Sequence, residues 1–286
     1  MKIFNFFSGL LKQKKPIFFI DSLESWKLLI SSLKNQKEIG IDTEFDWRTT
    51  YLPKLCTIQI STKKKIFILD CMALSNFREL KSILESKSVL KIFHSVRSDS
   101  TVLSKCLNIF VNNVFDIQQA EKEITNGEVS NYGQIVKKYL NVSIEKGETN
   151  SNWLKRPLTK NQMKYAAEDV DFLIKIYHIQ KKILSVRKFE NVFKNSNLEL
   201  ELGKESLVKL RLKKRKKRYT KKEQNIFLWR ERIAETENIP PNHVFQEKHI
   251  SFLANSFSNE HPKLRSKLLK IIGDSKYVEE FIVKFL

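Results

Sequence analysis

Four acids and a tyrosine are the residues of this sequence best suited to do chemistry. Asp42 and Glu44 stand two apart in Gly40-Ile41-Asp42-Thr43-Glu44-Phe45. In a strand that spacing points both carboxylates the same way. Neighbouring carboxylates repel, and a divalent cation relieves the repulsion; hard oxygen ligands suit Mg2+ or Mn2+. A solvated acidic strand face is the other reading of the pair. Tyr165 and Asp169 are four apart around Ala166, Ala167 and Glu168 and share one helical face. The alanines keep that face slim, so Asp169 can reach a metal while Tyr165 handles a nucleophilic water; an ordinary surface helix with a half-buried tyrosine fits the same letters. Asp99 follows a strand and opens a helix in His94-Ser95-Val96-Arg97-Ser98-Asp99. It is either a helix cap or a group aimed into a cleft at the strand's carboxyl end.

The elements that must position these groups are legible from periodicity. Lys37 to Asp46 alternates, with Ile39, Ile41, Thr43 and Phe45 on one face and Gly40, Asp42, Glu44 and Asp46 on the other. Asp46 lies outside the chemical motif and reads as a solvated charge, as do Glu168 and Asp171 on their helix. Leu55 to Ser61, Lys65 to Asp70 and Val89 to His94 are β-rich, and Asn76 to Ser86 has helical spacing. Ser98 or Asp99 is placed to cap a helix through Leu103, and the pattern is mostly helical from Asp116. Thr159 is a plausible N-cap for a helix running past Ile176. From Lys221 the chain looks all-helical: Ile226, Leu228, Trp229 and Ile233 fit a first helix, Pro240-Pro241 breaks it, and Phe245 to Phe257, Pro262 to Ile272 and Tyr277 to Phe285 supply short ones.

Charge gives the main boundary and the kind of partner. Of a net charge of +20, residues 204–222 supply +10, from eleven Lys or Arg against Glu205 alone. Such a block resists compaction unless it meets anions, which points to nucleic acid or an anionic membrane surface. Residues 219–286 are nearly balanced, with 11 basic and 9 acidic side chains. Cys56, Cys71 and Cys106 form no C-x-x-C pair, so neither a disulfide framework nor a zinc cluster is indicated. No run approaches the roughly 18 apolar residues of a membrane span. The Phe-rich start from Phe4 to Lys15 packs on its own domain or lies on a membrane surface.

In order, Asp42-Thr43-Glu44-Phe45, Asp99 and Tyr165-x-x-x-Asp169 resemble the three exonuclease motifs of the DEDD superfamily in its tyrosine branch. Gly40 to Phe45, Leu55 to Ile60, Trp153-Leu154-Lys155-Arg156-Pro157-Leu158 and Gln162 to Asp169 resemble ribonuclease D. Trp229 to Ala234 with Ile239-Pro240-Pro241-Asn242 resembles the helical HRDC module, with room for one such module where some ribonuclease D enzymes carry two. The resemblance implies an α/β, RNase H-like mixed sheet flanked by helices, followed by a small all-helical HRDC-like domain. The boundaries it suggests are 1–203 for the exonuclease domain, 204–220 for a basic linker and 221–286 for the helical domain.

Carried over to these positions, the resemblance implies that Asp42, Glu44, Asp99 and Asp169 hold two divalent metal ions, Mg2+ or Mn2+. Tyr165 orients the attacking water or accepts its proton. Glu44 also reaches the terminal sugar hydroxyl. The implied activity is a 3′→5′ exoribonuclease that releases 5′-mononucleotides and trims 3′ ends of transfer RNA precursors and other structured RNAs. The alternatives are an exonuclease acting on DNA and a catalytically inactive RNA-binding module. Phe45 and His94 are candidate substrate contacts, with core packing and a structural role as their alternatives. Lys146 and Arg156 are candidate phosphate contacts, and Trp153 is either a substrate contact or core. RNA is the expected partner, with no stable membrane insertion, no obligate protein partner and a cytoplasmic location.

Overall fold

The structure, a computed structural model, describes residues 3–4, 15–144, 147–255 and 263–286. Lys146 and nearly all of the Phe4 to Lys15 stretch lie outside them. The chain forms two compact units, one of Met1–Asp46 with Lys54–Lys204 and one of Trp47–Pro53 with Glu205–Leu286.

The first unit is built on a mixed sheet. Its strands are β1 (Ile3–Phe4), β2 (Ile17–Ile20), β3 (Glu38–Asp46), β4 (Lys54–Ser61), β5 (Ile66–Asp70), β6 (Leu90–Phe93) and β7 (Val114–Asp116). They lie in the order β1-β2-β5-β4-β3-β6-β7. The β3-β4 and β4-β5 pairs are antiparallel, and β3-β6 and β6-β7 are parallel. The helices are α1 (Leu23–Leu33), α2 (Arg78–Glu85), α3 (Arg97–Leu107), α4 (Ile117–Thr125), α5 (Tyr132–Leu140), α6 (Lys160–Asp171), α7 (Leu173–Ile183) and α8 (Val186–Lys204).

Strand alternation sorts the side chains into two cores. Ile39, Ile41, Phe67 and Leu69 pack with Leu29, Leu80 and Val102 on one face. Ile66, Ile68, Ile92 and Phe115 pack with Ile135, Ala166 and Leu173 on the other. Phe67, Phe93 and Phe115 are fully buried, each worth about 1.5–3 kcal/mol of transfer free energy. Gly40 lets this second helical layer sit close to β3, because a Cβ there would lie 3.0 Å from the Leu173 Cβ.

The expectation for Thr159 holds: its side chain accepts from the Gln162 backbone N–H, and Gln162 reaches back to the Thr159 N–H at 3.0 Å. The single helix expected past Ile176 is instead divided at Phe172. Two carbonyls at the break are taken by outside donors. Ser61 Oγ donates to the Val170 carbonyl at 2.6 Å, and Lys15 Nζ to the Asp171 carbonyl at 2.6 Å. Side chains inserted into the ladder in this way end or kink a helix.

The second unit contains α9 (Leu207–Lys213), α10 (Lys221–Thr236), α11 (Pro241–Val244), α12 (Ile250–Asn255), α13 (Leu264–Ile272) and α14 (Ser275–Phe285), with a short 3-10 turn at Glu247–His249. Ile226, Phe227, Trp229 and Ile233 of α10 form its core with Phe245, Leu253, Leu268 and Phe281. Trp229 Nε1 donates to Glu280 at 2.8 Å. The stretch expected as a linker is structured here: Leu207 is buried in this core, and Arg211 pairs with buried Glu231 at 2.8 Å. The β3–β4 connection also joins this core. Tyr51 is fully buried with the Arg211 guanidinium 4.6 Å from its ring centre, and the Leu52 N–H donates to Asn238 Oδ1 at 3.1 Å.

Candidate active site

Three elements of the first unit bring the acids together. β3 supplies Asp42 and Glu44 on the face opposite Ile41, and α6 packs against that face with Tyr165 and Asp169 one turn apart. Carboxylate oxygens of Asp42, Glu44 and Asp169 lie within 4.8 Å of one another. Just beyond Glu44 the pairing of β3 with β4 shifts register, Glu44 facing Thr57 and Phe45 facing Leu55. Such bulges re-aim side chains beside functional sites.

Asp99 stands at the border of this trio. It is the third residue of α3, where the N-cap is Val96, so neither Ser98 nor Asp99 caps the helix as expected. Asp99 is 4% exposed, and its Oδ1 accepts from Thr43 Oγ1 at 2.6 Å. Thr43 is a positioning residue the sequence reading missed. Its signal is the alternation itself, which puts a hydroxyl on the face of β3 turned away from Asp42 and Glu44.

The loop that opens α3 is held by Asp116. Its buried carboxylate accepts from the backbone N–H groups of Ser95 and Val96, each at 3.0 Å, and of Gln118 at 2.8 Å. Ser95 has a φ of 63°, a backbone state disfavoured for a residue with a Cβ, so these bonds fix a strained turn. On the far side of α3, Ser100 Oγ donates to the Leu200 carbonyl of α8 at 2.8 Å. Gly203 permits that contact, because a Cβ there would strike the Arg97 carbonyl and lie 2.7 Å from the Ser100 Cβ.

The electrostatics are those of crowded, uncompensated acids. Burial, followed by repulsion from Asp99, Asp169 and Glu44, holds the Asp42 carboxyl well above its usual range. Burial, with Asp169 and Asp99, pushes Glu44 up to about 9. Burial lifts Asp99 to about 7 against the opposing bond from Thr43, and lifts Asp169 to about 7 against a bond from Tyr165. Burial and the nearby carboxylates keep the Tyr165 phenol protonated well above the ordinary tyrosine range. Its hydroxyl lies 3.2 Å from Thr149 Oγ1 and its ring centre 6.0 Å from that of Trp153. Among the described residues no Lys or Arg side chain is paired with any of the four acids. An all-carboxylate set without a thiol, imidazole or neutralising cation fits hard divalent ions such as Mg2+ or Mn2+.

The other candidates fall in different places. Phe45 is half-buried against the first core. His94 Nε2 lies 3.3 Å from the Ser130 carbonyl and 3.4 Å from Gln118 Nε2, and its ring leans on Tyr132. Trp153 is 2% exposed, in the core. Arg156 does not stand out as a free cation: it makes two bonds of 2.7 Å to Asp70 and others to the carbonyls of Trp153 and Cys56. It ties the loop before α6 to the sheet. Asp46, expected to be solvated, is 5% exposed. Glu168 and Asp171 are half-buried and paired with Lys164 and Lys15.

A mixed sheet flanked by helices, with acids converging from β3, α3 and α6, is an RNase H-like exonuclease fold. The chain belongs to the 3′-5′ exonuclease family, whose family model matches residues 17–185. Among curated relatives it is similar to ribonuclease D of Haemophilus influenzae, 33% identical over 193 residues, covering 67% of this chain and 48% of the relative. It is also similar to ribonuclease D of Bartonella henselae, 27% identical over 284 residues, covering 96% of this chain and 68% of that one. The chain thus spans about half the length of the first relative and two thirds of the second. The crystal structure of Escherichia coli RNase D superposes with a TM-score of 0.79 at 22% identity, over 93% of this chain and 74% of that one. Trypanosoma brucei RNase D in complex with RNA U12 matches with a TM-score of 0.60 at 20% identity, over 66% and 70%. At these identities the structural matches speak for the fold.

Proposed function

We propose that this chain is a metal-dependent 3′→5′ exoribonuclease that releases 5′-mononucleotides and trims the 3′ ends of transfer RNA precursors and other structured RNAs. The observation that carries the reading is the convergence of Asp42, Glu44 and Asp169 within 4.8 Å, with Asp99 beside them, in a chain of the 3′-5′ exonuclease family. The relatives named ribonuclease D support RNA as the substrate.

Asp42, Glu44 and Asp169, with Asp99 at their border, would hold the divalent ions. Bound there, such ions would supply charge to offset the phosphate, acidify water and relieve the leaving oxygen. Tyr165, protonated and steadied by Thr149, orients the attacking water with its hydroxyl rather than serving as a base. Water adds its oxygen to the terminal phosphorus, the P–O3′ bond breaks, the shortened RNA leaves with a free 3′-hydroxyl, and a nucleoside 5′-monophosphate is released. Glu44, beside Asp42, accepts a hydrogen bond from the terminal sugar hydroxyl in this reading.

We read the second unit as an HRDC-like module and assign the enzyme to the cytoplasm. Three free cysteines, each with its thiol raised by burial, fit a reducing compartment. Among the described residues no helix is long and apolar enough to cross a membrane.

The test is digestion of a 3′-extended transfer RNA, with and without Mg2+ or Mn2+, resolved at single-nucleotide steps beside a DNA strand of the same sequence. Stepwise loss from the 3′ end of the RNA, dependent on metal and abolished in Asp42→Ala, is expected. Preference for the DNA strand would turn the reading to a DNA exonuclease. Inertness of the parent with both metals would make it an RNA-binding module.

A further inference from the structure

The basic block of residues 204–222 divides by where its side chains point. Arg211 and Arg215, one helical turn apart, turn inward. Arg211 pairs with Glu231 at 2.8 Å, and Arg215 donates to Glu247 at 2.8 Å with its guanidinium 5.5 Å from the Phe227 ring centre. Lys209, Lys213, Lys214, Lys216, Lys217 and Arg218 are exposed. Among the described residues none of these six is paired with a carboxylate.

Lys221 and Lys222 extend the exposed run into the first turn of α10. The helix dipole is already positive there, so two more cations add repulsion rather than relieve it. The acid in that turn, Glu223, is occupied by the Thr220 N–H and Ser251 Oγ. The fold pairs Arg211 and Arg215 with carboxylates and leaves an exposed run of lysines with Arg218 among them.

Two features select the occupant. Lysine ammonium groups are mobile point charges without the planar fork that reads a base edge, so they suit phosphates irrespective of sequence. A segment lying on a membrane would present apolar side chains beside its cations. Here Leu207 is buried, and Val208, Leu212 and Tyr219 pack against the core of the second unit.

We propose that the lysine face of α9 and the turn after it is a second phosphate-binding surface, which grips the RNA body upstream of the 3′ end being trimmed. The proposal rests on the reading of the substrate as RNA.

The test uses the full chain with Lys213, Lys214, Lys216 and Lys217 all changed to Gln. Affinity for an RNA of about 30 nucleotides is measured by fluorescence anisotropy in EDTA across a salt series, since each phosphate contact contributes about 0.7–0.9 to the slope of log affinity against log salt. Four lost contacts lower that slope by about 3. KM for the long RNA rises about tenfold or more, while kcat on a trinucleotide and the thermal midpoint stay at parental values. An unchanged slope and KM overturn the proposal. Salt-sensitive sedimentation of the parent with phosphatidylserine vesicles, lost in the variant while the RNA slope stays fixed, overturns it in favour of a membrane. If the parent degrades neither RNA with Mg2+ or Mn2+, the nuclease reading fails, and the anisotropy slope still decides the surface.

Discussion

Loading the acid cluster with a divalent ion must expel protons, and the structure sets how many. Glu44 at about 9 keeps its proton at pH 7, Asp99 and Asp169 at about 7 are each about half-protonated, and Asp42 is held well above its usual range by burial and its neighbours. Ligand carboxylates bind metal deprotonated, so conversion of Glu44, Asp99 and Asp169 alone releases about two protons at pH 7 and about half a proton at pH 9, and Asp42 adds to the count. The sign of the stability effect follows. These carboxyls have folded values raised above the unfolded ones, so between about pH 4 and 9 the native state binds more protons than the unfolded chain. The stability they contribute is fully present below the unfolded values and is lost as pH rises through the folded ones. The metal-free protein therefore melts progressively lower from pH 5 to pH 9, and Mn2+ raises the midpoint most at the alkaline end. Titration calorimetry of Mn2+ binding in two buffers of different ionisation enthalpy counts the protons. Release of fewer than one proton at pH 7, or a count that does not fall by pH 9, refutes the picture of a pocket whose acids repel one another until a cation arrives.

Two further predictions concern the scaffold. Arg156→Lys removes the fork to Asp70, whose side chain is 7% exposed, and should cost about 2–3 kcal/mol in urea denaturation. Unchanged stability with a raised KM would return Arg156 to the role of phosphate contact. Gly203→Ala forces α8 away from α3, because the new methyl meets the Arg97 carbonyl and the Ser100 side chain. It should destabilise by about 1–3 kcal/mol despite alanine's better helix propensity, and it should lower kcat through Asp99; a stabilised variant would contradict the close packing.

The parts of the site that were legible are those set by local spacing. The alternation of Lys37 to Asp46 foretold a strand with Asp42 and Glu44 on one face, and Thr159 with Gln162 marked the start of α6. What stayed hidden depends on partners distant in sequence. Arg156 looks like a phosphate ligand until Asp70, 86 residues away, is beside it. Asp99 looks like a cap until Thr43, 56 residues earlier, takes its oxygen. The break at Phe172 follows from Ser61 and Lys15, neither visible from the helix's own letters. The linker expectation weighed charge alone. Leu207, Val208 and Leu212 carry a weak apolar stripe, and two arginines with carboxylate partners anchor the segment.

The arrangement of these supports explains how the fold holds an unfavourable charge cluster. Once deprotonated, Asp42, Glu44, Asp99 and Asp169 repel and would push β3, α3 and α6 apart, and α3 and α6 are restrained by contacts to groups other than these acids. α3 is pinned through Ser100 and Gly203 to α8, and its opening turn through Asp116. α6 is pinned at its start by Arg156 through Asp70, and at its end by the Ser61 and Lys15 bonds to the Val170 and Asp171 carbonyls. None of these restraints neutralises one of the four site acids, so the stabilising groups do not compete with a cation for the same carboxylates. A lysine or arginine drawn into the cluster would steady the fold more cheaply, but it would occupy the place the proposed chemistry requires a metal to fill.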